Sequence, residues 1–147
     1  MTNTELRNEL LAQHARLREL ATVVRAAAEQ PDLGPPQMGE LRTLIARLGT
    51  ELLTHNIFEE QSLHAVLRDL DAWGPQRERR VEDHHAAEHE AIFIALVAAR
   101  EQRDPAALAA ETLAVLGELT THMDREEREL LRADVLCDDI ITSGVGG

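Results

Sequence analysis

Three short joints divide the chain into four long segments, and they constrain its fold more than any other feature. The joints are residues 30–36 (Gln-Pro-Asp-Leu-Gly-Pro-Pro), residues 73–75 (Trp-Gly-Pro) and residues 104–105 (Asp-Pro). Proline cannot donate a backbone hydrogen bond inside a helix, and a glycine beside it favours a turn. In the third joint, the aspartate can cap a helix whose first residue is the proline. Each joint therefore ends one helix or begins the next.

Between the joints, apolar residues recur at steps of three and four, which is the period of an amphipathic helix. The pattern predicts four helices, over about residues 4–29, 38–71, 76 to the joint at 104, and 105–133. Thr2 or Thr4 can cap the first helix. Four long helices with short connections form an antiparallel up-down-up-down bundle. We therefore predict one all-α domain, a four-helix bundle over residues 1–134, followed by a short C-terminal tail over residues 135–147.

The composition excludes several classes of protein. Hydrophobic residues make up 44% and charged residues 29% of the 147 residues, as in globular chains. The net charge of −12 disfavours a nucleic-acid partner and an anionic membrane surface. The longest apolar run, residues 91–99, is too short to span a bilayer, and the single Cys137 excludes an internal disulfide. Because the N-terminus lacks the pattern of a signal peptide, we expect a cytoplasmic monomer or weak homo-oligomer that binds neither nucleic acid nor membrane.

Ionisable side chains occupy stripe positions that a bundle core would normally fill with Leu, Val or Ile. His85 and His89 stand one helical turn apart, separated by about 40° round the axis, so both imidazoles reach the same side. The same spacing recurs once in the second helix and once in the fourth. The inward ionisable residues are His14, His55, Glu59, His85, His89, His122 and Glu126. Burying even one unpaired ionisable group costs several kcal/mol, so these groups require something that binds them.

The depth of these residues along their helices predicts that they meet. They lie alternately about ten and about seventeen residues into helices of about thirty residues, with ~1.5 Å of rise per residue. In antiparallel neighbours these depths coincide, which places all the groups at one level near one end of the bundle. Imidazole and carboxylate ligands together suit iron, zinc or manganese. The sequence therefore predicts a metal site inside the bundle.

The order of these residues resembles that of the hemerythrin-like, or HHE cation-binding, family. The matching segments, one in each helix, are His14, His55-Asn56-Ile57-Phe58-Glu59, His85-Ala86-Ala87-Glu88-His89 and His122-Met123-Asp124-Arg125-Glu126-Glu127. Each segment alone is a weak signal, whereas all four in this order are a strong one. The resemblance covers roughly residues 8–132, which is nearly the whole predicted bundle.

What the resemblance implies is a non-haem centre of two iron ions, with five histidines, two bridging carboxylates and an oxo or hydroxo bridge. The implied terminal ligands are His85, His89 and His122 for one iron, and His14 and His55 for the other. Glu59 and a carboxylate of the fourth helix would bridge the ions. The iron with two histidines would keep an open position for O2 or peroxide.

The fourth helix offers two candidate carboxylates. Hemerythrins usually place an acidic ligand five residues after the last histidine, where this chain has Glu127. On a helix, however, a residue four positions on lies about 40° from His122 and a residue five positions on about 140°. Leu130 also continues the stripe of Glu126. We therefore predict Glu126 as the ligand, with Glu127 as its rival.

Two further histidines have less favourable positions. His64 lies nine residues after His55, about half a turn round the helix, so we expect it at the surface. His84 lies about 100° from His85 and would replace it as a ligand if the helix were rotated. Whether His84 contributes is left open by the sequence.

Three functions fit such a site. The first is reversible O2 binding for storage, delivery or sensing, the second is an enzyme that removes peroxide or nitric oxide in a catalase-like reaction, and the third is a metal-stabilised module that contacts another protein. The absence of Tyr disfavours oxidase chemistry but does not separate a carrier from a catalase-like enzyme. A ferritin-like oxidase would need paired Glu-x-x-His motifs, and residues 82–85 supply one. We expect O2 binding, with the di-iron enzyme as the alternative.

Overall fold

The computed structural model contains four helices and, among the residues it describes, no strand. The helices are α1 (Asn3–Ala28), α2 (Pro35–Leu70), α3 (Gly74–Arg100) and α4 (Pro105–Glu129). The structure describes residues 1–70, 74–132 and 136, except the side chains of residues 64, 67–70 and 74–84. Each helix packs against the next along the chain, and α4 returns to pack against α1. The predicted all-α, up-down-up-down bundle is thereby confirmed.

Side chains cap two of the helix starts as the sequence predicts. The Glu5 amide donates to the Thr2 hydroxyl at 3.1 Å, and the Thr2 amide donates to the Glu5 carboxylate at 2.7 Å. This reciprocal capping box satisfies two backbone donors that α1 leaves unpaired. At the start of α4, the Ala107 amide donates to the Asp104 carboxylate at 2.9 Å, and Pro105 is the first helical residue.

The predicted starts of α2 and α3 were wrong by two or three residues. α2 begins at Pro35 rather than at about residue 38, so the two prolines belong to its first turn. Proline fits there because the first amides of a helix have no partner within the helix. The first regular bond follows at once, from the Met38 amide to the Gly34 carbonyl at 2.9 Å. α3 likewise begins at Gly74 rather than near residue 76.

The end of α4 also lies earlier than predicted, at Glu129 rather than at about residue 133. The amides of Leu130 and Leu131 both donate to the Glu126 carbonyl, at 2.8 and 3.0 Å. Two donors on one carbonyl close the last turn and stop the helix. As a result Leu131 is buried, whereas Leu130 of the predicted stripe is half-buried.

Buried apolar residues form two separate clusters at different levels of the bundle. The large cluster fills the half that contains the α1–α2 and α3–α4 connections, and its most deeply buried members include Val24, Leu41, Ile45, Leu48, Leu108, Leu116 and Leu119. The small cluster closes the other end with Leu6, Leu10, Leu63, Leu131 and Leu136. This division leaves one level of the interior for the ionisable side chains.

The sequence positions locate that level between the clusters. On α1, His14 lies between Leu10 of the small cluster and Leu17 of the large one. On α2, the buried residue that follows Glu59 is Leu63. Steps of three and four residues after Glu59 would instead continue the inward stripe through Ser62 and Val66, but both are half-buried.

The predicted tail, residues 135–147, lies outside the described residues apart from Leu136, which is buried in the small cluster. Cys137 also lies outside them. Within the described part of the chain, no helix has the length and apolarity needed to cross a membrane.

Candidate metal centre

The structure brings all seven predicted site residues together. Each helix contributes at least one of them, and each is at most 6% exposed to solvent. They are His14 on α1, His55 and Glu59 on α2, His85 and His89 on α3, and His122 and Glu126 on α4. Their helical spacing of four residues places both members of each pair on the inward face. The arrangement is a layer of imidazoles and carboxylates across the interior.

The ligand atoms of this layer form two overlapping groups of four, and within each group all the atoms lie within 4.8 Å of one another. The members of the first group are His14, His55, Glu59 and Glu126, and those of the second are Glu59, His85, His89 and Glu126. Both groups contain Glu59 and Glu126. His122 adjoins them through its Nε2, which lies 2.6 Å from a Glu126 oxygen.

Glu59 lies at the centre of the layer. One of its carboxylate oxygens is 3.1 Å from His55 Nε2 and 3.9 Å from His14 Nε2. The other is 3.0 Å from His85 Nδ1 and 3.6 Å from His89 Nε2. Each oxygen therefore faces a different pair of histidines, which is the arrangement a bridging carboxylate needs.

Polar atoms at the centre lack the partners that buried groups normally have. Ten buried nitrogen and oxygen atoms of the seven residues make no hydrogen bond among the described residues, including both oxygens of Glu59 and both of Glu126. Leaving one such atom unsatisfied costs about 1–3 kcal/mol. Cations coordinated by these atoms would satisfy many of them together, so the residues present fit a metal site.

Without a cation between them, the two central carboxyls have pKa values that are shifted in opposite directions. Burial by itself raises the pKa of Glu59, but its interactions with the Glu126 carboxyl and with the His14 and His55 imidazoles hold that pKa well below its usual range. Burial, followed by the adjacent Glu59 carboxylate, raises the pKa of Glu126 well above the usual range. In the absence of metal, the pair therefore shares a proton.

Burial also keeps two of the histidines neutral. It lowers the pKa of His122 to about 4, against the opposing effect of the Glu88 carboxylate. It lowers the pKa of His89 as well, although the Glu60 carboxylate acts in the other direction. A neutral imidazole carries a free nitrogen lone pair, which is the form that binds a metal ion.

Four polar residues contact the outer nitrogens of the site histidines, and the sequence predicted none of these contacts. His55 Nδ1 lies 2.7 Å from Gln13 Oε1, His89 Nδ1 lies 2.9 Å from Glu60 Oε1, His122 Nδ1 lies 2.5 Å from Glu88 Oε2, and His14 Nδ1 lies at 3.5 Å from Glu127 Oε1. Each contact joins one helix to the next, and the last joins α4 to α1. Hydrogen-bonded partners, as at His55, His89 and His122, fix the orientation and tautomer of a metal-binding histidine.

A sequence signal for these outer residues exists. Each is the immediate neighbour of a predicted ligand on its own helix: Gln13 precedes His14, Glu60 follows Glu59, Glu88 precedes His89, and Glu127 follows Glu126. A step of one residue turns a side chain by about 100°, from the bundle interior toward an adjacent helix. Polar residues directly beside inward histidines are therefore candidates for outer contacts.

The two candidate carboxylates of α4 have different surroundings. Glu126 is 2% exposed and belongs to both groups of converging ligand atoms. Glu127 is 27% exposed, and both of its oxygens bind the Arg18 guanidinium, at 2.6 and 2.9 Å. The Arg18 guanidinium lowers the pKa of the Glu127 carboxyl, so this group remains an ion held away from the centre. These surroundings favour Glu126 for the bridging position.

The remaining histidines, His64 and His84, have side chains outside those that the structure describes. The expectations of a surface position for His64 and of a possible ligand role for His84 stay predictions.

Fold and site together define a class of protein, a four-helix bundle with a buried layer of imidazoles and carboxylates suited to metal cations. A family model described as the hemerythrin HHE cation binding domain matches residues 6–133. The chain therefore belongs to the hemerythrin HHE cation-binding family, and the resemblance seen in the sequence is confirmed. Searches of the curated proteins and of the solved structures gave no match.

Proposed function

We propose that the protein is a non-haem di-iron protein that binds O2 reversibly, for storage, delivery or sensing. One observation carries this proposal. The two groups of converging ligand atoms share both Glu59 and Glu126, so two cations held by the groups would be bridged by two carboxylates. Two iron ions held by these residues would supply the electrons with which O2 can be bound and released.

The ligand assignment that we propose follows the family pattern. His85, His89 and His122 would hold one ion, His14 and His55 would hold the other, and Glu59 and Glu126 would be shared by both. The second ion would therefore have one histidine ligand fewer than the first, and we propose that O2 binds to this second ion. Nitrogen and oxygen ligands without a thiolate suit iron, and the lowered pKa values of His89 and His122 favour the neutral imidazoles that it requires.

The surroundings favour binding of O2 over its consumption. An enzyme that reduces peroxide needs a group that delivers protons to the reacting oxygen. Among the described residues, every buried titratable side chain is one of the seven proposed ligands. Apolar clusters close the layer on both sides, which limits the access of water. A site whose buried titratable groups, among the described residues, are the ligands themselves and which apolar clusters cover on both sides suits release of O2 in its original form.

A stopped-flow optical experiment tests the proposal. The iron-loaded, reduced protein is mixed first with O2 and, in a separate run, with peroxide. We expect O2 to produce a charge-transfer spectrum that disappears when O2 is removed under argon, over repeated cycles. Catalytic loss of peroxide or of nitric oxide, without a reversible O2 spectrum, would instead support the di-iron enzyme.

A further inference from the structure

The outer contacts of the site histidines differ in charge. His89 and His122 are hydrogen-bonded to carboxylates, those of Glu60 and Glu88. His14 also faces a carboxylate, that of Glu127, but at 3.5 Å and without a hydrogen bond. His55 instead faces the neutral amide of Gln13, at 2.7 Å. The hydrogen-bonded contacts of His55, His89 and His122 are otherwise alike, because each involves Nδ1 and a side chain of the preceding helix. The difference between an amide and a carboxylate is therefore the feature that distinguishes His55.

Gln13 is itself held in a defined orientation. Its Nε2 donates to Glu9 Oε1, one turn earlier on α1, at 3.0 Å. This bond leaves the amide oxygen to accept from the Nδ1–H of His55. With its proton on Nδ1, His55 presents the lone pair of Nε2 to the interior, where Nε2 lies 3.1 Å from a Glu59 oxygen. The Glu9–Gln13 pair therefore determines both the tautomer and the direction of His55.

We propose that Gln13 is a positioning residue that keeps His55 a weaker electron donor than His89 and His122, so that the two cations of the centre are unequal. The inference rests on the ligand set proposed above. A carboxylate partner attracts the imidazole proton more strongly than an amide does, and this raises the basicity of the nitrogen that binds the metal. The cation bound by His55 consequently remains the stronger Lewis acid, and it binds an added anion such as azide more tightly.

The double substitution E9Q/Q13E tests this inference without changing the net charge. It exchanges the amide and the carboxylate, so that a carboxylate faces His55 while an amide donor remains one turn away on α1. Metal-free wild type and variant are titrated with Co²⁺, whose visible bands report its ligands. We expect each protein to bind two Co²⁺, with the weaker site bound on the order of 10-fold more tightly in the variant. Azide should bind the Co²⁺-loaded variant more weakly.

Three further variants make the result specific. Q61E adds a carboxylate at an exposed position of α2 and should leave both Co²⁺ affinities unchanged. E60Q makes the opposite exchange at His89 and should weaken the other site by about 10-fold. If the double variant fails to fold, Q13L removes the acceptor of His55 and should weaken one site while the second keeps its affinity.

The outcomes separate this inference from the proposed function. Wild type that binds two Co²⁺, with E9Q/Q13E matching its Co²⁺ and azide affinities, would overturn the role of Gln13 and leave the two-cation centre standing. Wild type that binds fewer than two Co²⁺ would overturn the centre and, with it, the inference. A general loss of stability that weakens both sites equally in Q13L would assign Gln13 a packing role and overturn the proposal.

Discussion

The two ends of α2 use the same inward stripe in opposite ways. In the first half, Leu41, Ile45 and Leu48 are buried in the large apolar cluster, and their burial stabilises the fold whatever else is bound. Farther along, His55 and Glu59 are buried to the same extent, and burial of such groups costs free energy unless they are paired. The comparison indicates that the apolar clusters on both sides of the layer carry the stability of the metal-free protein, and that the ionisable layer stabilises the protein when a cation is present.

The largest expected effect tests the apolar half. Leu48→Ala removes a fully buried side chain and should lower the free energy of unfolding by about 2–5 kcal/mol, because a cavity replaces apolar contacts. The loss should be equal with and without metal, as measured by urea unfolding of both forms. Leu53→Ala, on the same helix but 46% exposed, is the control and should cost much less. A loss confined to the metal-loaded protein would show that the two halves are not independent.

The pH dependence of the metal-free protein tests the ionisable half. The pKa of His122 is lowered to about 4, below its ordinary value near 6.5, so its contribution is fully present above pH 6.5 and is lost as the pH falls to about 4. Wild type should therefore lose on the order of 3 kcal/mol over this range relative to His122→Gln. Glu126 titrates in both proteins, so its opposite contribution largely cancels. Parallel stability curves for the two proteins would contradict this prediction.

Substitution of the shared carboxylate, Glu126, should change the stability of the metal-free and metal-loaded proteins in opposite directions. Glu126→Gln relieves the burial of a carboxyl beside Glu59, so the metal-free variant should be more stable than wild type, by about 1–3 kcal/mol. With metal it should be less stable and hold less iron, because an anionic ligand is lost. Thermal melts and elemental analysis of both forms measure the two effects.

Glu127→Gln is the matched control for that exchange. It weakens a partly exposed ion pair with Arg18, which is worth at most about 1 kcal/mol, and the 3.5 Å contact with His14 Nδ1, so it should lower the stability of both forms and should not stabilise the metal-free protein. If Glu127→Gln instead shows the opposite effects in the two forms, the chain follows the usual hemerythrin spacing and our choice of Glu126 is wrong.

The smallest expected effect concerns a position that belongs to neither half. Gly117 lies exposed within α4, and a Cβ atom built there would meet no atom within 4 Å. Gly117→Ala should therefore raise the free energy of unfolding by roughly 0.5–1 kcal/mol, because alanine favours the helix. The gain should be the same in the metal-free and loaded proteins. A gain that depends on metal would indicate that the ionisable layer influences α4 beyond its contacts.

The sequence predicted the four helices and the inward positions of the seven site residues because both follow from the helical period. His55 and Glu59 continue a leucine stripe at the same spacing, and a helix that buries one part of a stripe buries the rest. The starts of α2 and α3 were misplaced because proline and glycine indicate a connection, but they can lie either in the connection itself or in the first turn of the next helix.

The outer contacts were not predicted, for a different reason. Gln13 on α1 contacts a histidine of α2, and Glu88 on α3 contacts one of α4. Each contact therefore depends on how two helices are rotated relative to each other. A stripe defines that rotation only to within about one residue, or about 100°. The choice between Glu126 and Glu127 also depends on the rotation of α4 about its axis. In the sequence, the smaller angle from His122 and the stripe that continues to Leu130 both favoured Glu126.

The metal content of the purified protein is the most direct test of the proposed two-iron centre. We propose that the buried layer holds two iron ions, with Glu59 and Glu126 shared between them. Elemental analysis of protein isolated from iron-replete cells should find about two irons per chain, as in di-iron bundles with inward carboxylates and histidines. One equivalent of zinc with no iron would contradict the account and support a metal-stabilised module instead.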